Sequence, residues 1–275
     1  FLARTANFHT PVGSPPFLEP AWSIPMSQHG KIDLYVWEQM LRSREQYQKR
    51  RLPAAFPLAR DGRVYAKTLD GLTAVNLESG EVLWKTELLP NSYSEYLKRR
   101  FLTFQESFGM SAPNVNVYSL AQDYVYGNSI DFSIGMDQNR IYSIDALAPP
   151  DPPQNMRRFV GVKQNDKIPA VNSLSAYDLK SGKTVWSVGV TGDHDPDAEL
   201  AGSYFLGAPL VAEDELLILA DRSGEIILWA LDPKTGSKRA EIVLCETSQP
   251  TNSYYYRQRD ACPITVVEGI AYCPI

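Results

Sequence analysis

An internal repeat constrains this chain more than any other feature. Residues 74–84 (Ala-Val-Asn-Leu-Glu-Ser-Gly-Glu-Val-Leu-Trp) are nearly copied by residues 176–186 (Ala-Tyr-Asp-Leu-Lys-Ser-Gly-Lys-Thr-Val-Trp). Residues 230–236 keep the same register, but Ala240 stands where the tryptophan is expected. A repeat of this kind predicts a fold that is built by stacking one supersecondary unit several times.

Each copy reads as a strand, a tight turn and a second strand. The first strand is apolar on both faces, which is typical of a strand buried between neighbouring sheets. The Asp or Asn can bond its own backbone and the glycine accepts a positive φ, as in a type I turn with a G1 bulge. We expect the tryptophan to fill the gap between adjacent sheets. The motif residues are Ala74, Asn76, Gly80, Trp84, Ala176, Asp178, Gly182, Trp186, Ala230, Asp232 and Gly236.

A second repeated element precedes each copy. Residues 57–65, 209–217 and 263–271 share a proline, a short strand, a two-residue turn and another strand, and residues 134–142 are a degenerate version. Together the two elements give four antiparallel strands per unit, which is the blade of a β-propeller. The sequence therefore predicts an all-β partial ring of about three blades plus part of a fourth, with one or two helical insertions.

The regions outside the repeats are assigned as follows. Residues 1–53 are predicted to be an N-terminal extended segment, with an outer blade strand at 18–26 and a helix at 31–51. Residues 54–275 are predicted to form the propeller blades, incomplete at the C-terminus. Within them, residues 91–117 include a helical pattern, and the proline-rich residues 146–172 read as a loop on one rim.

The pattern Ala-x-Asp/Asn-x-x-Ser/Thr-Gly-x-x-x-Trp resembles the PQQ-like β-propeller repeat of the quinoprotein alcohol dehydrogenase-like superfamily. Residues 201–210, followed by a hairpin and residues 230–236, are similar to the large propeller proteins of planctomycete-type bacteria. The resemblance implies an extracytoplasmic location, in the periplasm or cell envelope. It also implies that the remaining blades come from another chain or from sequence outside these 275 residues.

The resemblance raises the question of a PQQ site. Quinoprotein dehydrogenases of this superfamily hold PQQ between a tryptophan and a disulfide of adjacent cysteines, with calcium nearby. This chain has no adjacent cysteine pair, and Trp84 and Trp186 match the structural repeat. We therefore assign no catalytic or cofactor-binding residue and no cofactor.

Two smaller features have alternative interpretations. Asp193, Asp195 and Asp197 alternate as in the first half of a calcium loop, but the glycine and terminal glutamate of an EF-hand are missing, which favours a solvated rim loop. Cys245 and Cys262 are expected on successive strands of neighbouring units. They are a candidate disulfide in an oxidising compartment, or else buried thiols.

The charge and the apolar runs of the sequence argue against a nucleic-acid partner and against a membrane-spanning helix. The chain has 27 basic and 32 acidic residues, a formal charge of −5 and no basic stripe, which argues against nucleic acid. Its longest apolar runs, 216–220 and 226–231, are far shorter than the roughly 20 residues of a membrane helix.

These observations favour a non-catalytic propeller scaffold that mediates protein–protein interaction or assembly in the bacterial cell envelope. Two alternatives stay open from the sequence. One is a segment of a PQQ-dependent quinoprotein dehydrogenase, which rests on fold analogy alone. The other is an extracytoplasmic module that binds a ligand or a glycan.

Overall fold

Four antiparallel sheets follow one another along the described part of the chain. The structure, a computed structural model, describes residues 20–34, 36–38, 54–87, 95, 124–146, 172–189, 198–247 and 261–274. Each of the first three sheets contains a path of four hydrogen-bonded strands in chain order, and the fourth has two strands in the described residues. This arrangement confirms the predicted all-β architecture of four-stranded blades.

The strands are numbered along the chain. Blade 1 contains β1 (Leu58–Arg60), β2 (Arg63–Thr68), β3 (Gly71–Asn76) and β4 (Val82–Lys85). Blade 2 contains β5 (Ile134–Met136), β6 (Arg140–Ala146), β7 (Asn172–Asp178) and β8 (Thr184–Val188). Blade 3 contains β9 (Tyr204–Phe205), β10 (Leu210–Ala212), β11 (Glu215–Arg222), β12 (Glu225–Leu231) and β13 (Lys238–Glu246). Blade 4 contains β14 (Thr265–Val267) and β15 (Ile270–Tyr272).

The two-residue turns form where the sequence predicts them. Asp61 and Gly62 join β1 to β2 with φ angles of 49° and 69°. Glu268 and Gly269 join β14 to β15 with φ angles of 50° and 77°. Positive φ at both central residues is the requirement of a type I′ turn, whose twist matches that of the flanking strands. The extra strand β9, which pairs with β11 beyond β10, was not predicted.

The core lies between the sheets. Strands β3, β7 and β12 are buried along almost their whole length, which confirms that the motif strand is covered on both faces. One apolar cluster joins blades 2, 3 and 4, and a smaller cluster around Tyr65 and Ile141 joins blades 1 and 2. The blades therefore hold one another by face-to-face burial, because a single sheet cannot cover its own apolar faces.

Residues before the first blade pack against it. The backbone is helical at 30–34 and 36–38, and Ile32 and Val36 are buried against Leu69, Tyr124 and Phe132. The described part of the predicted 31–51 helix is thus helical, and 39–51 lie outside the described residues. Of the predicted helical insertion at 91–117, the described residues include Glu95 alone, which has helical backbone. The interior of the predicted rim loop, 147–171, also lies outside them.

Replacing Gly182 with alanine should destabilise the fold more than the same change at Gly62. Both glycines have nearly the same φ, 70° and 69°, so the backbone strain of a Cβ is matched at about 1–2 kcal/mol. A Cβ at Gly182 would lie 2.5 Å from the Trp84 ring, whereas nothing lies within 4 Å of one at Gly62. We expect Gly182→Ala to lower the free energy of unfolding by about 1–3 kcal/mol more than Gly62→Ala in urea titrations. Equal losses would show that the tryptophan contact does not constrain this turn.

Candidate interaction surface

The turn after each motif strand is built in the same way in all three copies. The side-chain oxygen of Asp178 accepts hydrogen bonds from the backbone nitrogens of Lys180 and Ser181, at 3.2 and 2.8 Å. The Gly182 nitrogen donates to the Asp178 carbonyl at 2.8 Å, and the strand pairing slips by one residue beside Ala176. Asn76 and Asp232 make the same contacts with their own turns. The predicted type I turn with a bulge is therefore present in every copy.

In two of the three turns the accepting residue is an aspartate, and its negative charge also contributes to the turn. The Ser181 hydroxyl, which donates to the Asp178 carboxylate, lowers the pKa of that carboxyl. The guanidinium of Arg239, 2.6 Å from the Asp232 carboxylate, lowers the pKa of Asp232. Both carboxylates stay charged at neutral pH and act as fixed acceptors for the turn.

Each repeat tryptophan docks on the turn of the next blade. Trp84 lies over Gly182, and its indole nitrogen donates to the Leu179 carbonyl at 3.3 Å. Trp186 lies over Gly236, and its indole nitrogen donates to the Pro233 carbonyl at 3.1 Å. The prediction that these rings fill the gap between blades is confirmed. Because the rings already pack in this way, Trp84 and Trp186 do not fit the role of a PQQ floor.

Trp22 makes the same contact one blade earlier. It lies over Gly80 and donates its indole hydrogen to the Leu77 carbonyl at 2.9 Å. Residues 20–26, the described part of the predicted outer strand at 18–26, have no strand pairing. The docking of Trp22 therefore takes place without the ladder that a strand would supply, and the side chain alone has the expected position.

The motif alanine makes room for the tryptophan. Ala74 is paired with Tyr65 on one side and Trp84 on the other, and the two rings meet above it with centroids 5.9 Å apart. The same trio recurs in blade 2 as Tyr142, Ala176 and Trp186. In blade 3 the equivalent residues are Leu217, Ala230 and Ala240. Blade 3 therefore has the turn of the repeat without its aromatic pair.

A buried ion pair lies between blades 1 and 2 and is not predicted from the sequence. The Lys67 ammonium lies 2.8 Å from the Asp145 carboxylate, with 3% and 14% of the two side chains exposed, and it also donates to the Ile144 carbonyl. The Tyr177 hydroxyl donates to the same carboxylate at 3.3 Å. Burial and the charge of Asp145 raise the pKa of Tyr177. No spacing rule links these positions in the sequence, because they meet only when two blades stack.

The cysteines do not form the candidate disulfide. Cys245, Cys262 and Cys273 are free thiols. Cys245 lies on the outer strand β13, whereas the Cys262 nitrogen bonds the Leu206 carbonyl at the inner side of β11. Strands β11 and β12 lie between them, and strands are about 4.8 Å apart, so the two sulfurs lie too far apart to bond.

No metal centre is evident in the part of the chain that the structure describes. There, no group of three or more His, Cys, Asp or Glu side chains could hold an ion. Asp193, Asp195 and Asp197, the weak calcium candidates, lie outside the described residues. No helix within the described ranges is long and apolar enough to cross a membrane.

The outer strands carry exposed apolar side chains. Leu83 on β4 is 42% exposed and Val185 on β8 is 45% exposed, and Ile242 and Val243 on β13 are at least half exposed. These exposed residues lie on the outer strands of blades 1, 2 and 3, and together they are here called the outer wall.

Known proteins agree with this architecture. A family model described as outer membrane protein assembly factor BamB matches residues 136–272, just under half of the chain. No curated protein matches the chain.

Solved structures with similar folds include BamB from Moraxella catarrhalis, with 16% identity and a TM-score of 0.41 over 81% of this chain and 46% of that one. A quinohemoprotein alcohol dehydrogenase from Comamonas testosteroni has 15% identity and a TM-score of 0.38, over 70% of this chain and 21% of that one. A europium-containing methanol dehydrogenase has 14% identity and a TM-score of 0.37, over 68% and 24%. The chain spans less than half of the length of each.

Replacing Lys67 with methionine should be strongly destabilising. The change leaves the Asp145 carboxylate buried without its cation, which typically costs about 3–5 kcal/mol. Asp61→Asn is the matched control, because it breaks the exposed Arg60–Asp61 pair, whose loss should cost less than about 1 kcal/mol. Urea unfolding of both variants measures the difference. A Lys67→Met variant as stable as the control would show that the pair does not hold blades 1 and 2 together.

Thiol titration should return three thiols per chain in denaturant without reductant. In the native protein, burial raises the pKa of Cys273 and so lowers its thiolate fraction. Alkylation of Cys273 should therefore be slower than that of an exposed cysteine at the same mildly alkaline pH, as followed by mass spectrometry. A cross-linked peptide that contains Cys245 and Cys262 would contradict the free-thiol state.

Proposed function

We propose that this chain, whose family match and repeated four-stranded sheets support the PQQ-like β-propeller superfamily, is a non-catalytic scaffold for protein assembly in the bacterial cell envelope. The observation that carries the proposal is the match of residues 136–272 to the BamB family model, over blades whose outer strands expose apolar residues. A scaffold needs a rigid body and a surface that binds partners. In this chain the tryptophan contacts of the repeat supply the rigidity, and the exposed apolar residues of its outer strands supply the surface.

The outer wall is the surface that we assign to partner binding. Exposed β-branched and leucine side chains on outer strands contribute favourable burial when a partner covers them, about 25 cal/mol per Å² of apolar area. The rigid tryptophan contacts beneath them keep this surface in one shape before binding, which reduces the entropic cost of association. The partners that fit are other envelope polypeptides with apolar segments, together with further blades of the propeller.

The location follows from the family description and is part of the proposal. An assembly factor for outer-membrane proteins works outside the cytoplasm, where this chain would meet partners before they are inserted. The formal charge of −5 argues against nucleic acid as the partner. The resemblance to the large propeller proteins of planctomycete-type bacteria is part of the same proposal. In a propeller with more blades, the outer wall would extend over more outer strands.

The test uses the full-length gene product in its own host. A Leu83→Lys/Val185→Lys variant places two charges on the outer wall and should lower the level of folded outer-membrane proteins, measured by their heat-modifiable migration on gels. Leu77→Lys is the matched control, because Leu77 is 47% exposed but lies in the turn between β3 and β4. Unfolding midpoints of both purified variants should equal that of the wild type.

Three outcomes would overturn the proposal. Unchanged outer-membrane proteins in the double variant would remove the outer wall from the function. Stoichiometric PQQ binding with alcohol-dependent dye reduction would identify a dehydrogenase. Selective binding to a glycan array, with normal assembly of outer-membrane proteins, would identify a ligand-binding module.

A further inference from the structure

Strand β13 differs from the other outer strands. It is nine residues long, whereas β4 has four residues and β8 has five. Its Ala240 replaces the tryptophan of the repeat, and Ile242 and Val243 near its centre are 57% and 50% exposed. Within the described residues, no strand pairs with its outer edge. The pairing of β13 with β12 is bulged beside Arg239 and Leu244. The regular stretch between the bulges contains the apolar centre, and an open edge of this kind is a template for pairing with another strand.

The sequence of β13 is complementary to itself. It reads Lys-Arg-Ala-Glu-Ile-Val-Leu-Cys-Glu from 238 to 246. In an antiparallel pair of two such strands with full overlap, Ile242 meets Ile242 on the two-fold axis, and Lys238 faces Glu246 at both ends. Opposite charges that face each other across strands stabilise the pair by roughly 0.2–1 kcal/mol each. The ends of the strand therefore select the same register that the apolar centre favours.

The geometry of blade 3 supports this register. Lys238 pairs with Leu231 and Glu246 pairs with Glu225 on β12. Leu231 and Glu225 are six residues apart on one strand, so they lie on the same face of the sheet, and so do their partners. Lys238 and Glu246 of two copies can therefore meet across the axis on one face.

Neighbouring registers are less favourable. A shift of the axis to Glu241 places two glutamates opposite each other, which is destabilising. A slip by one residue brings side chains from opposite faces into register and is excluded by the pleat. The full-overlap register has no like charges that face each other, and it pairs the greatest number of backbone groups.

We propose that two copies of this protein associate through their β13 strands, in antiparallel register about Ile242, to form one continuous sheet from both third blades. The interface is isologous, because the same strand is used on both sides. Within its own chain the Lys238 ammonium pairs with Glu199 and with Glu241, the latter at 3.4 Å, and lies 5.7 Å from the Trp229 ring centre. These contacts hold the side chain on this face of β13, and in the dimer Glu246 of the second copy would share the ammonium with them. The proposal goes beyond the scaffold function and uses a blade that the function test leaves unchanged.

The decisive experiment mixes two charge variants of the full-length protein. Lys238→Glu leaves two glutamates facing each other at each end of the pair, and Glu246→Lys leaves two lysines. Each variant alone should be monomeric in sedimentation velocity at concentrations where the wild type is dimeric. In an equimolar mixture every contact is again between opposite charges, so a heterodimer should appear. Lys183→Glu, a charge reversal at an exposed site before β8, is the matched control and should remain dimeric.

Three results of this experiment would overturn the proposed dimer. A wild-type protein that stays monomeric at its highest soluble concentration would overturn the proposal. So would a dimer that both single variants retain, because another surface must then hold it. Single variants that fail to dimerise and also fail to recover on mixing would likewise count against the register. None of these results depends on the level of folded outer-membrane proteins, so failure here and failure of the proposed function are distinguishable.

Discussion

Contact between a tryptophan ring and a glycine of the following blade is the interaction on which the rest of the structure depends. At Gly182 the positive φ permits the turn, and the missing Cβ lets the Trp84 ring lie against the backbone. The indole hydrogen bond to the Leu179 carbonyl then fixes the orientation of the ring. Because the first two copies of the repeat contain both halves of the contact, a local pattern in sequence sets the placement of blades 1, 2 and 3 on one another.

The third copy shows what happens when one half is lost. Blade 3 keeps the turn that receives Trp186, so it docks normally on blade 2. On its other side, Leu217 and Ala240 replace the tyrosine and the tryptophan, so these two positions supply no ring toward the next blade. The outer strand is then free of the constraint that the ring imposes. Its length and its exposed centre at Ile242 are consistent with a strand whose partner is something other than the following turn.

Much of this fold could be predicted from the sequence because its rules are local. The turns need Asp or Asn and Gly at fixed offsets, and the motif strand needs apolar residues on both faces, so blades were recognisable at Asn76, Asp178 and Asp232. Features that depend on contacts between blades could not be predicted in the same way. Of the two readings that the sequence leaves open for Cys245 and Cys262, the disulfide does not form, since two strands separate the thiols. The short strand β9 has no pattern of its own beyond Tyr204 and Phe205.

The Lys67–Asp145 ion pair distinguishes blade 1 from the other blades, which the repeat motif does not do. The turn contacts alone do not distinguish one blade from another, since the same glycine is present in all three copies of the motif. The position of Lys67 is Ile144 in blade 2 and Leu219 in blade 3, so among these three described blades it carries a cation in blade 1 alone. Stacked on an apolar blade, that ammonium would be buried without a partner, at a cost of several kcal/mol. The ion pair therefore makes the contact between blades 1 and 2 specific to these two blades, whose order is set by the connectivity of the chain.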